Sequence, residues 1–305
     1  MALLLAACGG SGGEDAQDEP SIEGATRTIA HDFGETTVPV EPERLVVLGE
    51  EFLLANVLAL GITPIASTLT LDEASGLEDY DVSGIQALPA TEPNVELLAS
   101  LDPDMILAPN FVVDVIGYET ISTIAPTVAI ADGDWRASAE FVGMSLGRED
   151  RMTELLTGYD AALAEGRADL GLGDGETLDV SMATIYPGPQ LAFWFAGPSE
   201  FPQTAADLGL RFVPDESAFG SSGAAEGRAY VSLEETIQLQ APHLFLLQST
   251  RVEGEQASYD ELARSNSFAD LPAVQTGQVH VFDRLGFPGV EGRTRLIDEY
   301  VAALT

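Results

Sequence analysis

The chain has 305 residues, of which 45% are hydrophobic, so it can fill the cores of two domains of ordinary size. Fifty acidic residues stand against thirteen arginines and no lysine, and the resulting net charge of -37 excludes a phosphate-neutralising, nucleic-acid-binding surface. One cysteine excludes an internal disulfide, and the wide separation of His31, His243 and His280 argues against a dedicated metal site.

The first residues of the chain resemble the lipobox of a bacterial lipoprotein. A short apolar run ends in Cys8 and is followed at once by polar, glycine-rich sequence, which disfavours a buried structural cysteine. The resemblance implies that Cys8 becomes the acylated amino terminus, because two or more acyl chains hold a protein on a membrane. We therefore expect a truncated signal sequence at 1–8 and a disordered tether at 9–25, where Gly, Ser, Asp and Glu dominate.

From residue 26 onward, strand-like and helix-like stretches alternate. A small hairpin is predicted over 28–40, and the apolar stretch 44–48 is typical of a buried strand in a parallel sheet. Further helices and strands are predicted at 53–60, 64–67, 95–101, 105–108, 121–125 and 127–131. This pattern predicts a parallel sheet with helices on both faces and right-handed crossovers. No run after the leader approaches the roughly 18 apolar residues that a membrane-spanning helix needs.

A long helix is predicted over 148–170, where apolar residues recur at three- and four-residue spacing. At about 1.5 Å per residue it spans about 30 Å, and we interpret it as a rigid connection between two lobes. The lobes are assigned to 26–147 and 171–305, and strands in the second are predicted at 180–186, 191–196, 211–214, 243–247 and 279–282. The expected fold class is α/β, with two Rossmann-like lobes that carry parallel sheets, joined by the long helix, and a ligand cleft between them.

A series of short motifs resembles the substrate-binding lipoproteins of ABC importers, and more narrowly the class that binds ferric siderophores and cobalamin. Each motif is weak alone, but their order is specific, and the resemblance covers residues 26–305. The motifs are His31-Asp32-Phe33-Gly34, Pro42-Glu43-Arg44-Leu45-Val46-Val47-Leu48, Leu58-Ala59-Leu60-Gly61-Ile62-Thr63-Pro64, Asn94-Val95-Glu96 with Pro103-Asp104, and Val231-Ser232-Leu233-Glu234.

The resemblance implies a non-catalytic, extracytoplasmic receptor that is lipid-anchored to the cytoplasmic membrane. Such a receptor is a monomer, holds no cofactor of its own, and delivers a ferric siderophore to an ABC permease and its ATPase. A haem or cobalamin receptor of the same fold is the alternative within the class. The chemical type of the siderophore stays open.

The resemblance also implies two docking glutamates, one on the outer surface of each lobe, that bind arginines of the permease. Glu96 matches the first through its Asn-Val-Glu context and its spacing to Pro103. For the second, Glu234 fits the Val-Ser-x-Glu pattern, whereas Glu235 fits the seven-residue spacing to Pro242. An acid in the first turn of a helix is also favoured by the helix dipole alone. The choice between Glu234 and Glu235 stays open.

Ligand-binding residues are expected in the loops that follow the predicted strands, because the carboxyl ends of parallel strands line the crevice of an α/β fold. Aromatic rings supply stiff apolar walls, and arginines offer forked donors to the oxygens of an iron chelate. The candidates are Glu50, Glu51, Asn110, Phe111, Trp135, Arg136, Tyr186, Trp194, Arg251, Arg284 and Phe287. Glu50 and Glu51 either argue against a wholly anionic ligand or bind a cationic portion of one.

Two enzyme classes are alternatives to a receptor. The segment around Ser145, from Gly143 to Gly147, matches the nucleophile elbow of α/β-hydrolases, with His243 or His280 in the expected chain order. The elbow requires a strand directly before its serine, however, and 138–146 is typical of a helix. A nucleotide-binding Rossmann enzyme is disfavoured, because no Gly-x-Gly-x-x-Gly follows a predicted strand.

Overall fold

The computed structural model describes residues 25–49, 51–69, 76–89, 94–188, 190–197, 199–219, 224–225 and 227–305. Cys8, nearly all of the expected tether and Glu50 lie outside these described residues. Within them, no helix combines the length and the apolar content that crossing a membrane requires.

A hairpin and a five-stranded parallel sheet form the N-terminal half. The hairpin pairs β1 (Thr26–His31) with β2 (Gly34–Pro39), which confirms the hairpin predicted from the sequence. The elements that follow are β3 (Leu45–Val47), α1 (Glu51–Ala59), β4 (Ala66–Thr68), β5 (Gln86–Leu88), α2 (Val95–Ser100), β6 (Met105–Pro109), α3 (Asn110–Ile116), α4 (Tyr118–Ile121), β7 (Thr127–Ile130) and α5 (Trp135–Ser145). The strand order is β5-β4-β3-β6-β7. Every residue of β3, β4, β6 and β7 is buried, which agrees with the continuous apolar sequence of β3 and β6.

The long helix α6 (Glu149–Asp169) confirms the helix predicted over 148–170. Its buried side chains Met152, Leu155, Leu156 and Tyr159 recur at the spacing of one helix face. Acidic residues in its first turn, Glu149 and Asp150, favour the helix start through the dipole. The helix therefore stands between the two halves of the chain as a single rigid element.

A seven-stranded sheet forms the C-terminal half. Its elements are β8 (Leu178–Ile185), β9 (Gln190–Trp194), α7 (Glu200–Leu208), β10 (Leu210–Phe212), β11 (Ala224–Ala225), β12 (Arg228–Ser232), β13 (His243–Gln248), α8 (Glu255–Arg264), α9 (Asn266–Ala269), α10 (Pro272–Thr276), β14 (Val279–Asp283) and α11 (Gly289–Leu304). The strand order is β11-β12-β9-β8-β13-β14, and β10 also pairs with β8. A short 3-10 helix, Leu233–Gln238, follows β12.

The expected fold class is confirmed, but the second sheet is mixed rather than wholly parallel. Strands β8, β10, β13 and β14 are parallel, whereas β9 is antiparallel to β8 and β12 is antiparallel to β9. Only residues 186–189 join β8 to β9, and a connection this short permits a hairpin but not a crossover between parallel strands. Pro187 and Gly188 supply the turn.

Two segments of the N-terminal half also differ from expectation. Asn110 and Phe111, expected in a loop, begin α3, and the helix expected at 121–125 is α4, which ends at Ile121. Gly117 separates α3 from α4 with a φ of 89°, a conformation that side chains with a Cβ rarely adopt. The other predicted strands and helices are present, with ends that differ by up to three residues; the largest difference is the start of α5, at Trp135 rather than Ser138.

Helix α11 joins the two halves, since it packs against α1, α6 and α7. At its start, the backbone N–H of Val290 donates to Asn56 Oδ1 in α1 at 3.0 Å, in a buried position. Gly289 precedes this contact, and a Cβ there would lie 2.9 Å from the Cβ of Ala55. The close approach leaves no room for a side chain, so the halves are held together at this junction.

Candidate functional site

A cavity of about 450 Å³ opens between the two lobes. The N-terminal half contributes residues near the ends of β6 and β7 and from α1, α3 and α5. We call this side of the cavity the N wall, and its main residues are Phe52, Phe111, Asp132 and Trp135. The C-terminal half contributes residues from β9, β12, α7 and α11. We call this side of the cavity the C wall, and its main residues are Trp194, Glu200, Arg228 and Arg293. The volume suits a small-molecule ligand, since such sites typically occupy about 300 to 1,000 Å³.

The N wall presents three aromatic rings at the starts of helices: Phe52 in α1, Phe111 in α3 and Trp135 in α5. Trp135 is the first residue of α5, and Asp134 caps that helix by accepting a hydrogen bond from the N–H of Ala137 at 2.8 Å. The Trp135 ring meets Tyr159 of α6 edge to face, with centroids 5.1 Å apart. Phe111 begins α3 and is 43% exposed, so its ring is available to a ligand.

The N wall is also acidic. Asp132 follows β7 and lines the cavity, and its burial, together with the charges of Asp114 and Asp32, raises its pKa. Asn110, one of the expected ligand residues, donates its side-chain amide to Asp32. Glu51, another of the expected ligand residues, is the first residue of α1 and is partly exposed. This side of the cleft therefore offers apolar and negatively charged groups.

The C wall is built on a stacked arginine. Trp194 is only 5% exposed, and its indole N–H donates to Thr184 Oγ1 at 2.8 Å. Arg228 lies directly opposite Trp194 in the antiparallel pair of β12 and β9. Its guanidinium carbon is 5.1 Å from the Trp194 ring centroid and 5.3 Å from that of Tyr230. The guanidinium of Arg228 therefore lies over both rings at the cleft.

The deepest cation of the cleft is Arg293, which is 6% exposed. It donates to Gln203 Oε1 at 2.9 Å, and its guanidinium carbon lies 4.4 Å from the centroid of Trp135. Burial lowers the pKa of Arg293, while the carboxylate of Glu200 opposes that shift. Burial likewise raises the pKa of Glu200, and Arg293 opposes it.

Tyr186 and Arg284 lie next to the C wall, beside Tyr230, and are not among the described residues that line the cavity. Tyr186 follows β8, and its ring centroid lies 6.0 Å from that of Tyr230 and 5.9 Å from the Arg284 guanidinium carbon. Burial raises the pKa of Tyr186, so its hydroxyl stays a hydrogen-bond donor at neutral pH. Arg284 is fixed by the fully buried Glu255, with its Nη2 2.7 Å from Oε1.

Seven of the expected ligand residues that the structure describes are not among the residues that line the cavity: Glu51, Asn110, Arg136, Tyr186, Arg251, Arg284 and Phe287. Three of these have clear partners elsewhere. Arg136 pairs with Asp160 of α6 at 2.7 Å. Arg251 pairs across the two halves with Glu78 at 3.0 Å. Phe287 packs edge to face on Phe201, with centroids 5.6 Å apart. Their strand-end positions are those expected, but each side chain has a partner away from the cavity.

Arg228 and Arg293 are cleft residues that sequence reasoning missed. The segment 228–232 is not identified as a strand from its sequence, so the register that sets Arg228 opposite Trp194 cannot be anticipated. Arg293 belongs to a terminal helix and reaches the cavity only through the packing of α11. The alternation of polar and apolar residues from Arg228 to Val231 is a local signal for the strand β12, but it does not specify the register that sets Arg228 opposite Trp194.

The geometry of Ser145 does not support a hydrolase. Ser145 is the last residue of α5 and is fully buried, and a helix rather than a strand precedes it. His243 and His280 lie on β13 and β14 in the other half, where their rings stack with centroids 6.0 Å apart. Across the described residues, no group of three or more His, Cys, Asp or Glu side chains is placed to hold a metal ion.

The two candidates for the second docking glutamate are both exposed but differ in their hydrogen bonds. Glu96 is exposed in the first turn of α2. Glu235 accepts hydrogen bonds from the Ser232 N–H at 2.9 Å and from its hydroxyl at 3.0 Å, which lowers the pKa of Glu235 and closes a helix-capping box. Glu234 is exposed, and no described residue forms a hydrogen bond or ion pair with it.

Comparison with known proteins identifies related sequences and folds. The profile of the family described as periplasmic binding protein matches residues 46–284. YhfQ of Bacillus subtilis strain 168, provisionally named an ABC transporter substrate-binding lipoprotein, is 24% identical over 319 residues, covering 98% of this chain and 93% of YhfQ. The Fe(3+)-citrate-binding protein YfmC of the same strain is 26% identical over 309 residues, covering 93% of this chain and 88% of YfmC.

A solved structure has the same fold. The crystal structure of Staphylococcus aureus SirA in complex with staphyloferrin B matches with a TM-score of 0.75 and 23% identity. The match covers 92% of this chain and 98% of SirA.

Proposed function

The chain belongs to the periplasmic binding protein family, and from this premise we propose that it is the extracytoplasmic receptor of an ABC importer that binds a ferric siderophore. The names of YhfQ and YfmC support this assignment, since one refers to an ABC transporter and the other to an iron chelate. The cleft supports it physically, because its volume and its aromatic and cationic groups suit an oxygen-rich chelate.

The observation that carries the proposal is the stacked guanidinium of Arg228 in the C wall. A planar guanidinium held against Trp194 and Tyr230 loses little conformational entropy when its N–H fork meets an anionic oxygen. Carboxylate, catecholate and hydroxamate oxygens of a ferric chelate are such acceptors. Trp135 and Phe111 on the N wall cover the apolar part of the same ligand. The receptor captures the chelate and releases it unchanged.

Intrinsic tryptophan fluorescence tests this proposal directly, because both tryptophans of the chain line the cavity. The purified protein is titrated with ferric citrate, ferrioxamine B, ferric enterobactin, haem and cobalamin, which represent the competing ligand classes. Saturable quenching by at least one iron chelate is expected, and iron-free ligand should bind more weakly. Saturation by haem or cobalamin alone would assign the other cargo, and no saturation by any of them would contradict the receptor function.

The Arg228→Met variant links the binding to the C wall. We expect its affinity for the tightest iron chelate to fall about tenfold or more, since a desolvated charge-assisted contact is lost. Arg264→Met is the matched control, because Arg264 lies at the end of α8 with 76% of its side chain exposed. Equal affinities of the two variants for the chelate would show that Arg228 does not contribute to ligand binding.

We further propose that Glu96 and Glu234 dock the loaded receptor on the permease. Both are exposed first-turn acids, one in each half, whereas Glu235 is already engaged in the capping box. In cells that carry the importer, Glu234→Gln should reduce uptake of the radiolabelled iron chelate without changing its affinity for the receptor. Glu216→Gln, an exposed first-turn acid of the same half, is the control. Loss of uptake in the control as well would contradict specific docking by Glu234.

Attachment to the membrane through Cys8 completes the proposal. The name of YhfQ as a lipoprotein supports it, together with the lipobox-like sequence. Metabolic labelling with a palmitate analogue should mark the expressed protein, and Cys8→Ser should abolish the label and release the protein from the membrane fraction. Persistence of the label in that variant would place the lipid elsewhere.

A further inference from the structure

A side chain of the C-terminal half holds a ring of the N-terminal half at the floor of the cleft. Arg293 belongs to α11, and its guanidinium carbon lies 4.4 Å from the centroid of the Trp135 ring in α5. Both residues line the cavity. The contact crosses from one lobe to the other at the place where a ligand would reach deepest.

The position of Arg293 is itself well defined. Its Nη2 donates to Gln203 Oε1 at 2.9 Å, and its Nη1 lies 3.5 Å from Thr204 Oγ1 and from the carbonyl oxygen of Glu200. All three partners lie on α7, so the guanidinium plane is tied to one helix of the C-terminal half. The carboxylate of Glu200, on the same helix, also attracts the guanidinium. The face of Trp135 therefore receives a rigidly oriented cation.

Burial makes this contact stronger than a surface cation–π pair. Arg293 is 6% exposed, so water competes little with the indole ring for the cation. Arg136 offers an internal comparison, because its guanidinium carbon is also near Trp135, at 5.1 Å. That cation is paired with Asp160 and is 33% exposed, so its hold on the ring is weaker.

We propose that Arg293 is a positioning residue for the ligand, which fixes the Trp135 ring as a binding surface by holding it from the opposite lobe. This inference rests on the proposed function, since it treats Trp135 as a ligand contact. Arg293 then affects ligand affinity through Trp135. The orientation of the Trp135 ring depends on the position of α11, the helix that carries Arg293. The indole of Trp135 is the group whose environment should report the contact.

The first experiment needs no ligand. In a Trp194→Phe background, Trp135 is the single tryptophan of the chain, so the emission spectrum reports its surroundings alone. Arg293→Met should shift the Trp135 emission maximum and raise its accessibility to acrylamide quenching, Arg293→Lys should do so less, and Arg136→Met least. A folded Arg293→Met protein with unchanged emission and quenching would overturn the proposal.

The second experiment is a double-mutant cycle on affinity, read by calorimetry with whichever of ferric citrate, ferrioxamine B and ferric enterobactin binds tightest. Arg293→Met should weaken binding about threefold to thirtyfold, the range of a partly to fully desolvated cation–π contact. In a Trp135→Phe background the same change should cost much less, because the ring that Arg293 positions is altered. An equal loss in both backgrounds would assign Arg293 a direct or merely structural role and overturn the inference.

The two experiments separate failure of this inference from failure of the proposed function. If none of the three chelates binds, the receptor proposal and the ligand role of Arg293 both fail, while the emission of Trp135 still shows whether Arg293 holds the ring. If a chelate binds and the cycle shows no coupling, the receptor proposal stands and the positioning role falls.

Discussion

The two walls of the cleft come from different lobes, and they differ in charge. The N wall combines Trp135 and Phe111 with the carboxylate of Asp132, whereas the C wall combines Trp194 with two arginines, Arg228 and Arg293, and one carboxylate, Glu200. Acidic residues are almost equally common in the two lobes, 20 in residues 26–147 and 19 in 171–305. Arginines are not, since the first lobe has 3 and the second has 7.

This difference teaches that the architecture determines where a ligand lies, while a few placed cations determine how it is oriented. Against an acidic background, the arginines at the C wall create a local positive potential that attracts the anionic part of a chelate. The N wall supplies apolar cover and leaves its carboxylate for water or for a cationic portion of the ligand. We therefore expect the metal-chelating oxygens to face the C-terminal half.

Removal of Arg284 should produce the largest effect, because Arg284 is held beside Tyr186 by an ion pair with a fully buried carboxylate. The Arg284 Nη2 lies 2.7 Å from Glu255 Oε1, and Glu255 is fully buried and also accepts the N–H of Ser249 at 2.7 Å. Arg284→Met leaves a buried carboxylate without its cation, which should lower the free energy of unfolding by about 3 kcal/mol. Urea denaturation monitored by circular dichroism measures this loss.

The matched change on the N side is Arg136→Met. Its partner Asp160 is 60% exposed, so this pair should contribute less than about 1 kcal/mol. If the two variants lose similar amounts of unfolding free energy, the idea that only the Arg284–Glu255 pair is stabilised by burial is contradicted.

The charge contrast between the walls predicts opposite effects of two substitutions on affinity. Asp132→Asn removes a negative charge from the N wall and should strengthen binding of an anionic ferric chelate about twofold to threefold, against the weakening expected for Arg228→Met. Calorimetric titration at low salt measures both, and the difference should shrink at about 1 M salt because of screening.

Asp270→Asn is the control for this comparison, because it makes the same charge change at an exposed position outside the cavity. An equal gain in affinity from Asp270→Asn would show that net charge, rather than the charge of the N wall, governs binding.

The smallest effect concerns the histidines, which also differ between the halves. Burial lowers the pKa of His243 and of His280, and the mutual charge of the pair lowers that of His280 further. Each imidazole therefore binds a proton more readily in the unfolded chain, where its pKa is about 6.5, than in the folded protein. The free energy of unfolding is consequently highest above about pH 6.5 and decreases as the pH falls below that value. His280→Gln should therefore lose less stability than the wild type between about pH 7 and pH 5.

His31 in the N-terminal half is a single ring whose pKa burial also lowers. Its Nε2 lies 2.8 Å from Thr36 Oγ1, and His31→Gln should change the pH dependence less than His280→Gln, since no second histidine faces it. Urea denaturation at a series of pH values compares the three proteins. A larger effect from His31→Gln would contradict the interpretation of the stacked pair.

Much of the fold could be predicted from the sequence because its signals are local. The buried strands β3, β6 and β7 appear as continuous apolar runs, and the helix α6 appears as a sustained helical repeat. The antiparallel strand β12 was missed, since its five residues carry no continuous apolar run and lie after residues with weak patterning.

The candidate site could be predicted only in part, because local sequence signals do not specify contacts between distant residues. Trp135, Trp194 and Phe111 follow from the rule that strand ends line the crevice of an α/β fold. That rule gives positions along the chain but not side-chain partners, so it also selected Arg136 and Arg251, whose guanidinium groups pair with Asp160 and Glu78.

The sequence by itself determined the α/β class, the two lobes, the long connecting helix and the place of the cleft, because these depend on hydrophobic periodicity and on short turn signals. The tertiary structure decided which arginines face the cleft. Arg228 arrives through the register of an antiparallel pair, and Arg293 arrives through the packing of the last helix. Pairing register and helix packing join residues far apart in the chain, so no local pattern in the sequence specifies them.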